Sequence, residues 1–273
     1  SIQNNNSKIK GGNKMGKEKM MLAYKQMGES KCETTLVFIH GSTMTKEGMI
    51  PVVEGFVQYN CIIFDLRAHG ESLGEEPDEI TTFAEDIEFS VAQLQKSNII
   101  GKKVIVLGYS MGGAIVCEIA LRKQLKVSGI VLLGSGADLS NYTPLVDELK
   151  KISPKEFKAT SLFSYMFGED TPEDEKNAVI QLLNSTKVAD EIGYGDLMVS
   201  NRYNKLNECK NIDVPALLIQ GSDDQVVQPM AAVQTWSSIP NSELLMIPYK
   251  GHAALVEEKD LVREKILLFV DKL

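Results

Sequence analysis

Short runs of residues that are apolar at odd and even positions alike recur along the chain, at 35–39, 61–64, 103–107, 128–133, 214–219 and 243–247. Each ends at glycine or polar turn residues. A strand covered on both faces reads this way, because helices bury the two sides of its sheet. A further strand is predicted at 20–27, closed by Gly28-Glu29-Ser30. Between the runs the apolar spacing is helical. A short helix is predicted at 49–57. Thr82-Phe83-Ala84-Glu85 has the form of a capping box, opening a helix with Ile87, Val91 and Leu94 on one face. Residues 114–121 read as a buried helix, 229–237 as another, and 261–273 as an amphipathic terminal helix. Strand and helix alternating in this manner predict an α/β fold with a mostly parallel sheet flanked by helices.

Residues 139–207 break the alternation. No buried-strand run occurs there, and helices are predicted at 145–152, 157–167, 173–184 and 189–200, punctuated by Ser153-Pro154 and by Gly168-Glu169-Asp170-Thr171-Pro172. The expected organisation is a polar tail at 1–19, a core of 20–138 and 208–273, and a helical insertion at 139–207.

Composition adds exclusions. At 273 residues, 43% hydrophobic and 24% charged, the chain suits one large domain or one domain carrying an insertion. A net charge of -8 argues against a nucleic-acid partner. The four cysteines show neither zinc nor disulfide spacing; Cys61 and Cys117 fall in apolar segments and read as small buried hydrophobes, while Cys32 and Cys209 lie near loops. No apolar run approaches about 18 residues, so no membrane span is expected. The Asn-, Lys- and Gly-rich tail is expected to be disordered. The expected location is cytoplasmic, the alternative being a secreted or anchored form whose signal preceded Ser1.

In open parallel sheets, sites form at the carboxyl ends of the strands, and the distinctive polar clusters lie there. Gly108-Tyr109-Ser110-Met111-Gly112-Gly113 joins a strand to a helix, which is the context of a G-x-S-x-G nucleophile elbow. The glycines allow a turn too tight for side chains, and the serine hydroxyl is raised above the sheet. The Met111 N–H, in the first helical turn, is free to stabilise an oxyanion. A serine hydroxyl needs a base within reach, and the base needs an orienting carboxylate. Of the three histidines, His252 follows a glycine after the last strand, where a base is expected. His40 and His69 read as loop-shaping residues. The adjacent Asp223 and Asp224 compete for the role of orienting acid, with Asp138 after an earlier strand as a further alternative. The second oxyanion donor is expected from the Ser42 N–H after His40-Gly41, paired with that of Met111. The Ser42 and Thr43 hydroxyls, and Gly134-Ser135-Gly136, read as loop and turn features.

Five segments together resemble the α/β-hydrolase superfamily, specifically its capped bacterial serine hydrolases of the esterase and monoglyceride-lipase type. They are Phe38-Ile39-His40-Gly41-Ser42, the stretch from Asp65 through Arg67-Ala68-His69-Gly70 to Ser72, the Ser110 elbow, Gly221-Ser222-Asp223-Asp224-Gln225-Val226-Val227, and Gly251-His252. The resemblance spans residues 20–273. It favours Asp224 over Asp223 and implies an eight-stranded, mostly parallel sheet with a helical cap between the sixth and seventh strands. Ala68 replaces the glycine usual in its segment, which should alter a loop and leave Ser110, Asp224 and His252 untouched. The absence of a His-Gly-Gly-Gly run argues against hormone-sensitive-lipase-like esterases. Serine at the nucleophile position argues against haloalkane dehalogenases and dienelactone hydrolases.

The function expected is a serine hydrolase, needing no cofactor or metal, that cleaves a small-molecule carboxylic ester or related acyl compound through an acyl-enzyme on Ser110. The alternatives are a C–C bond hydrolase or lyase using the same three residues, and a non-catalytic ligand-binding member of the fold. Specificity is expected to lie in the insertion, whose aromatics Tyr142, Phe157, Phe163, Tyr165, Phe167 and Tyr194 either line an acyl pocket or pack the insertion on the core, packing being favoured for at least half.

Overall fold

In a computed structural model of the chain, residues 18–140 and 144–273 are described. Most of the predicted tail and all of Tyr142 lie outside them. The strands are β1 Tyr24–Gly28, β2 Thr34–Ile39, β3 Asn60–Phe64, β4 Lys103–Tyr109, β5 Gly129–Leu133, β6 Ala216–Gly221 and β7 Ser242–Ile247. The helices are α1 Ile50–Val53, α2 Ile80–Lys96, α3 Met111–Arg122, α4 Pro144–Leu149, α5 Glu173–Thr186, α6 Asp190–Ser200, α7 Pro229–Ser238, α8 Ala254–Glu257 and α9 Lys259–Val270. Tighter 3-10 turns include Ala159–Tyr165 and Leu206–Asn211.

The strands form one sheet in the order β1-β3-β2-β4-β5-β6-β7. Only the edge pair β1–β3 is antiparallel. Alternate residues feed two layers. Val37, Ile62, Val106, Ile130 and Leu218 pack beneath α2 and α3, with Phe83, Ile87, Val91, Ile115 and Ile119. Phe38, Ile63, Leu107, Val131 and Leu217 face α1 and α9, with Val53, Phe56, Val262, Ile266 and Phe269. This two-sided burial is why the runs are continuously apolar.

Two expectations need correction. The sheet has seven strands, not eight, among the described residues; with one strand fewer, the inserted helices α4 to α6, between the runs predicted at 128–133 and 214–219, lie between β5 and β6. The segment ahead of β1 gives its amides to side chains rather than to a strand: Met20 N–H donates to Asp86, Leu22 N–H to Ser90 Oγ and Ala23 N–H to Ser72 Oγ. Thr82 does not cap α2, which begins two residues earlier with Glu79 at the N-cap. The acid of the supposed box serves a tertiary contact instead: Glu85 accepts from Arg122 on α3, and Thr81, just ahead of the box, donates through Oγ1 to Glu118 there.

The inserted region carries an apolar cluster of its own: Leu149, Phe157, Ala159, Leu162 and Leu197. Phe157 is fully buried in it, its ring edge-on to Tyr194 at 5.9 Å. Phe167 is buried against the main core. Phe163 and Phe167 also border a surface groove of about 380 Å³, with Ile180 and Gln225.

Candidate active site

The elbow is built as its glycines demand. Ser110 sits at φ 52, ψ -121, a conformation that persists in a non-glycine residue only when its surroundings over-determine it. Its N–H donates to Leu133 O at 2.9 Å, and its carbonyl accepts from Gly113 N–H at 2.8 Å and Ser135 Oγ at 2.7 Å. Ser135, in the turn after β5, thus braces the elbow. A Cβ at Gly108 would collide with the Gly112 carbonyl, and one at Gly112 with the Ile39 carbonyl. Met111 opens α3, placing its amide at the helix N-terminus beside Ser110.

Asp224 and His252 meet. The carboxylate Oδ2 accepts His252 Nδ1–H at 2.7 Å, with both residues at most 4% exposed. Asp224 Oδ1 accepts the Val226 and Val227 amides at 2.8 and 2.9 Å, which fixes the carboxylate plane. Asp223 instead accepts from the Ser222 hydroxyl, and Asp138 from Ser140. The His252 ring lies 5.0 Å from that of Tyr109, the residue before Ser110, and the Tyr109 hydroxyl donates to His252 O at 3.2 Å. Burial pushes the Tyr109 phenol well above its usual range, so it stays a neutral donor.

One residue here escaped the motifs. Gln220, at the end of β6 and 1% exposed, donates through Nε2 to Asp224 Oδ2 at 2.7 Å and to Val227 O at 3.2 Å. The oxygen facing His252 therefore has a second donor. The available signal was a polar side chain closing an otherwise apolar buried run. Gln220→Leu is expected to lower kcat about tenfold, since a hydrogen bond to a charged group contributes about 1.5–3 kcal/mol. Steady-state kinetics beside a thermal melt checks this; unchanged kcat would remove Gln220 from the site's support.

The other two histidines are structural, as expected. His40 accepts Leu66 N–H at Nε2 (3.1 Å) and its Nδ1 donates to Gly41 O (2.8 Å), so it is neutral. Burial, aided by the charge of His69, pushes its pKa down to about 3. His69 is fully buried, with its Nδ1 at 2.8 Å from Arg67 O and its Nε2 at 2.9 Å from Asp196 Oδ2. The loop after β3 is held by Asp65, which binds Lys46 Nζ at 2.6 Å and the Glu71 amide at 2.9 Å. Burial alone would raise the Asp65 carboxyl, but those donors hold it below the usual range. Ala68 keeps a left-handed backbone there, at φ 66. Ser42 follows β2 and Gly41, and its hydroxyl is buried without a partner. Among the described residues no group of three or more His, Cys, Asp or Glu gathers to hold a metal, and no helix is long and apolar enough to cross a membrane.

A serine on a strained strand-to-helix turn, with a paired Asp and His after later strands of the same sheet, defines an α/β-hydrolase. The serine aminopeptidase S33 family profile matches residues 30–259, and the chain belongs to that family. A putative esterase/lipase of Haemophilus influenzae is 24% identical over 279 residues, 94% of this chain and 90% of that one. A putative 2-succinyl-6-hydroxy-2,4-cyclohexadiene-1-carboxylate synthase of the same organism is 31% identical over 145 residues, 52% of this chain. That match spans only about half, 54%, of the relative's length. The crystal structure of a lipase-esterase related protein from Clostridium acetobutylicum is similar at a TM-score of 0.81 and 26% identity, over 92% of this chain and 100% of that one. The protein is a serine hydrolase of the α/β-hydrolase fold.

Proposed function

We propose that the protein hydrolyses a small-molecule carboxylic ester or related acyl compound through an acyl-enzyme on Ser110. His252 takes the Ser110 proton as Oγ attacks the carbonyl carbon, and Asp224 holds the imidazole in the required tautomer and stabilises its charged form. The Ser42 and Met111 amides receive the developing oxyanion. His252 then protonates the leaving alcohol, and water, activated by the same ring, releases the acid. The observation that carries this reading is the buried 2.7 Å bond from His252 Nδ1 to Asp224, which turns Nε2 of the ring into the free base. Residues 139–207 act as a cap over this site and set its specificity. The synthase-named relative supports a competing lyase-type reading on the same three residues.

A fluorophosphonate probe tests the chemistry. Intact-mass and peptide analysis should show one adduct, on Ser110, and a panel of p-nitrophenyl esters should be turned over. A folded chain that takes no adduct at Ser110 would sink the proposal. An adduct without ester turnover would favour the lyase reading.

A further inference from the structure

The loop that carries Ser42 is fastened from outside the sheet, by the inserted region. Thr45 N–H donates to Thr186 O at 2.9 Å, and Val188 N–H to Thr43 O at 3.0 Å. A third bond comes from a side chain. Asp196, on α6 and 1% exposed, accepts the Thr43 N–H through Oδ2 at 2.9 Å. The same oxygen lies 2.9 Å from His69 Nε2, and the two side chains are 0% exposed. His69 Nδ1 faces Arg67 O at 2.8 Å, so both ring nitrogens point at oxygen acceptors and the ring is an imidazolium facing a carboxylate. Burial is the largest influence on His69 and acts to lower its pKa, but the charge and hydrogen bond of Asp196, the Arg67 carbonyl and the charge of Asp65 together leave the net shift upward.

Two features tie this bridge to the reaction. Thr43 sits at φ 67, a left-handed conformation costing a β-branched residue about 1–3 kcal/mol, so something must hold it there. Asp196 also engages the Thr43 amide, which leaves the neighbouring Ser42 amide as this loop's donor to the site. We propose that Asp196 is a positioning residue for catalysis at Ser110. Its Oδ2, shared between the Thr43 N–H and His69, sets the loop backbone so that the Ser42 amide aims at the substrate's carbonyl oxygen. The inference rests on the Ser110 reading above and adds to it a helix of the insertion as part of the oxyanion site's frame.

The test uses the full chain and p-nitrophenyl butyrate. Asp196→Ala should lower kcat about 10²-fold, the scale of a misplaced catalytic group, with KM changed much less. An aryl trifluoromethyl ketone forms a hemiketal oxyanion when Ser110 Oγ adds to its carbonyl, so its affinity should fall by a similar factor. Asp196→Asn keeps an oxygen that accepts both bonds and should recover most of the loss. Because Asp196→Ala strands the buried His69 charge, His69→Phe/Asp196→Leu removes both charges with apolar filling and should show the same kcat and ketone losses in a folded chain. Unchanged kcat in Asp196→Ala and the double variant, a change there confined to KM, or ketone affinity in them equal to wild type would overturn the role of Asp196. A wild-type chain that takes no fluorophosphonate at Ser110 would overturn the Ser110 reading and this inference with it. A labelled wild type with a fully active Asp196→Ala and double variant overturns this inference alone.

Discussion

Ser110→Ala is expected to lower kcat for p-nitrophenyl esters by about 10⁶-fold, the scale seen when a serine nucleophile is removed from an intact triad. The loss is large because no neighbouring group can take its place. Ser135, whose hydroxyl adjoins the elbow, is directed at the Ser110 carbonyl. Stability should barely move. Alanine meets the same positive φ as the serine, and the bonds that hold the turn run through the Ser110 backbone, which the change leaves in place. Matched thermal melts with a kcat at the detection floor are the expected pair of results. Turnover within tenfold of wild type would place the chemistry elsewhere.

Asp224→Asn is expected to cost about 10⁴-fold in kcat, by forcing the wrong histidine tautomer. All four groups around this carboxylate are N–H donors: the Val226 and Val227 amides on Oδ1, His252 Nδ1 and Gln220 Nε2 on Oδ2. An asparagine offers one oxygen and one NH₂, so some donors must face a donor. With NH₂ toward His252, Nδ1 must give up its proton and accept, which puts the proton on Nε2 and removes the base from Ser110. With NH₂ toward Val226 and Val227, two buried amides lose their acceptor, at about 1–3 kcal/mol each. The first arrangement gives a stable, inactive protein and the second a destabilised one. Kinetics together with urea unfolding distinguishes them, and a variant that is both active and stable would contradict the geometry.

Much of this architecture is local in origin. A strand buried on both faces needs apolar residues at every position, so continuous apolar runs marked β2 to β6 to within a few residues of their observed bounds, and two further segments marked the partly exposed edge strands β1 and β7. The elbow is equally local, because its turn excludes side chains at positions 108 and 112. Helix starts were less secure. Thr82 and Glu85 have the spacing of a capping box, yet the acid is drawn to Arg122 of a neighbouring helix, and the cap falls at Glu79. The eighth strand came from the resemblance and not from any run in the chain. The segment that would precede β1 is bound instead by Ser72, Asp86 and Ser90.

The sequence by itself determined the class of fold, the strand order along the chain, the strand-to-helix turn at Ser110 and the histidine that follows the last strand. Each of these depends on residue types close together in the chain, where periodicity and glycine spacing record the physical demand directly. The resemblance favoured Asp224 over Asp223, and the fold brings Asp224 to His252; tertiary structure alone decided that Gln220 shares the same carboxylate oxygen and that Asp196 joins Thr43 and His69 across 153 and 127 residues of sequence. A buried carboxylate must find donors in three dimensions, and which donors reach it is set by how α6 and the loop after β2 come together. Ser110 is thus legible as a motif, while the bonds that hold the loop after β2 and the Asp224 carboxylate are written in contacts between distant segments.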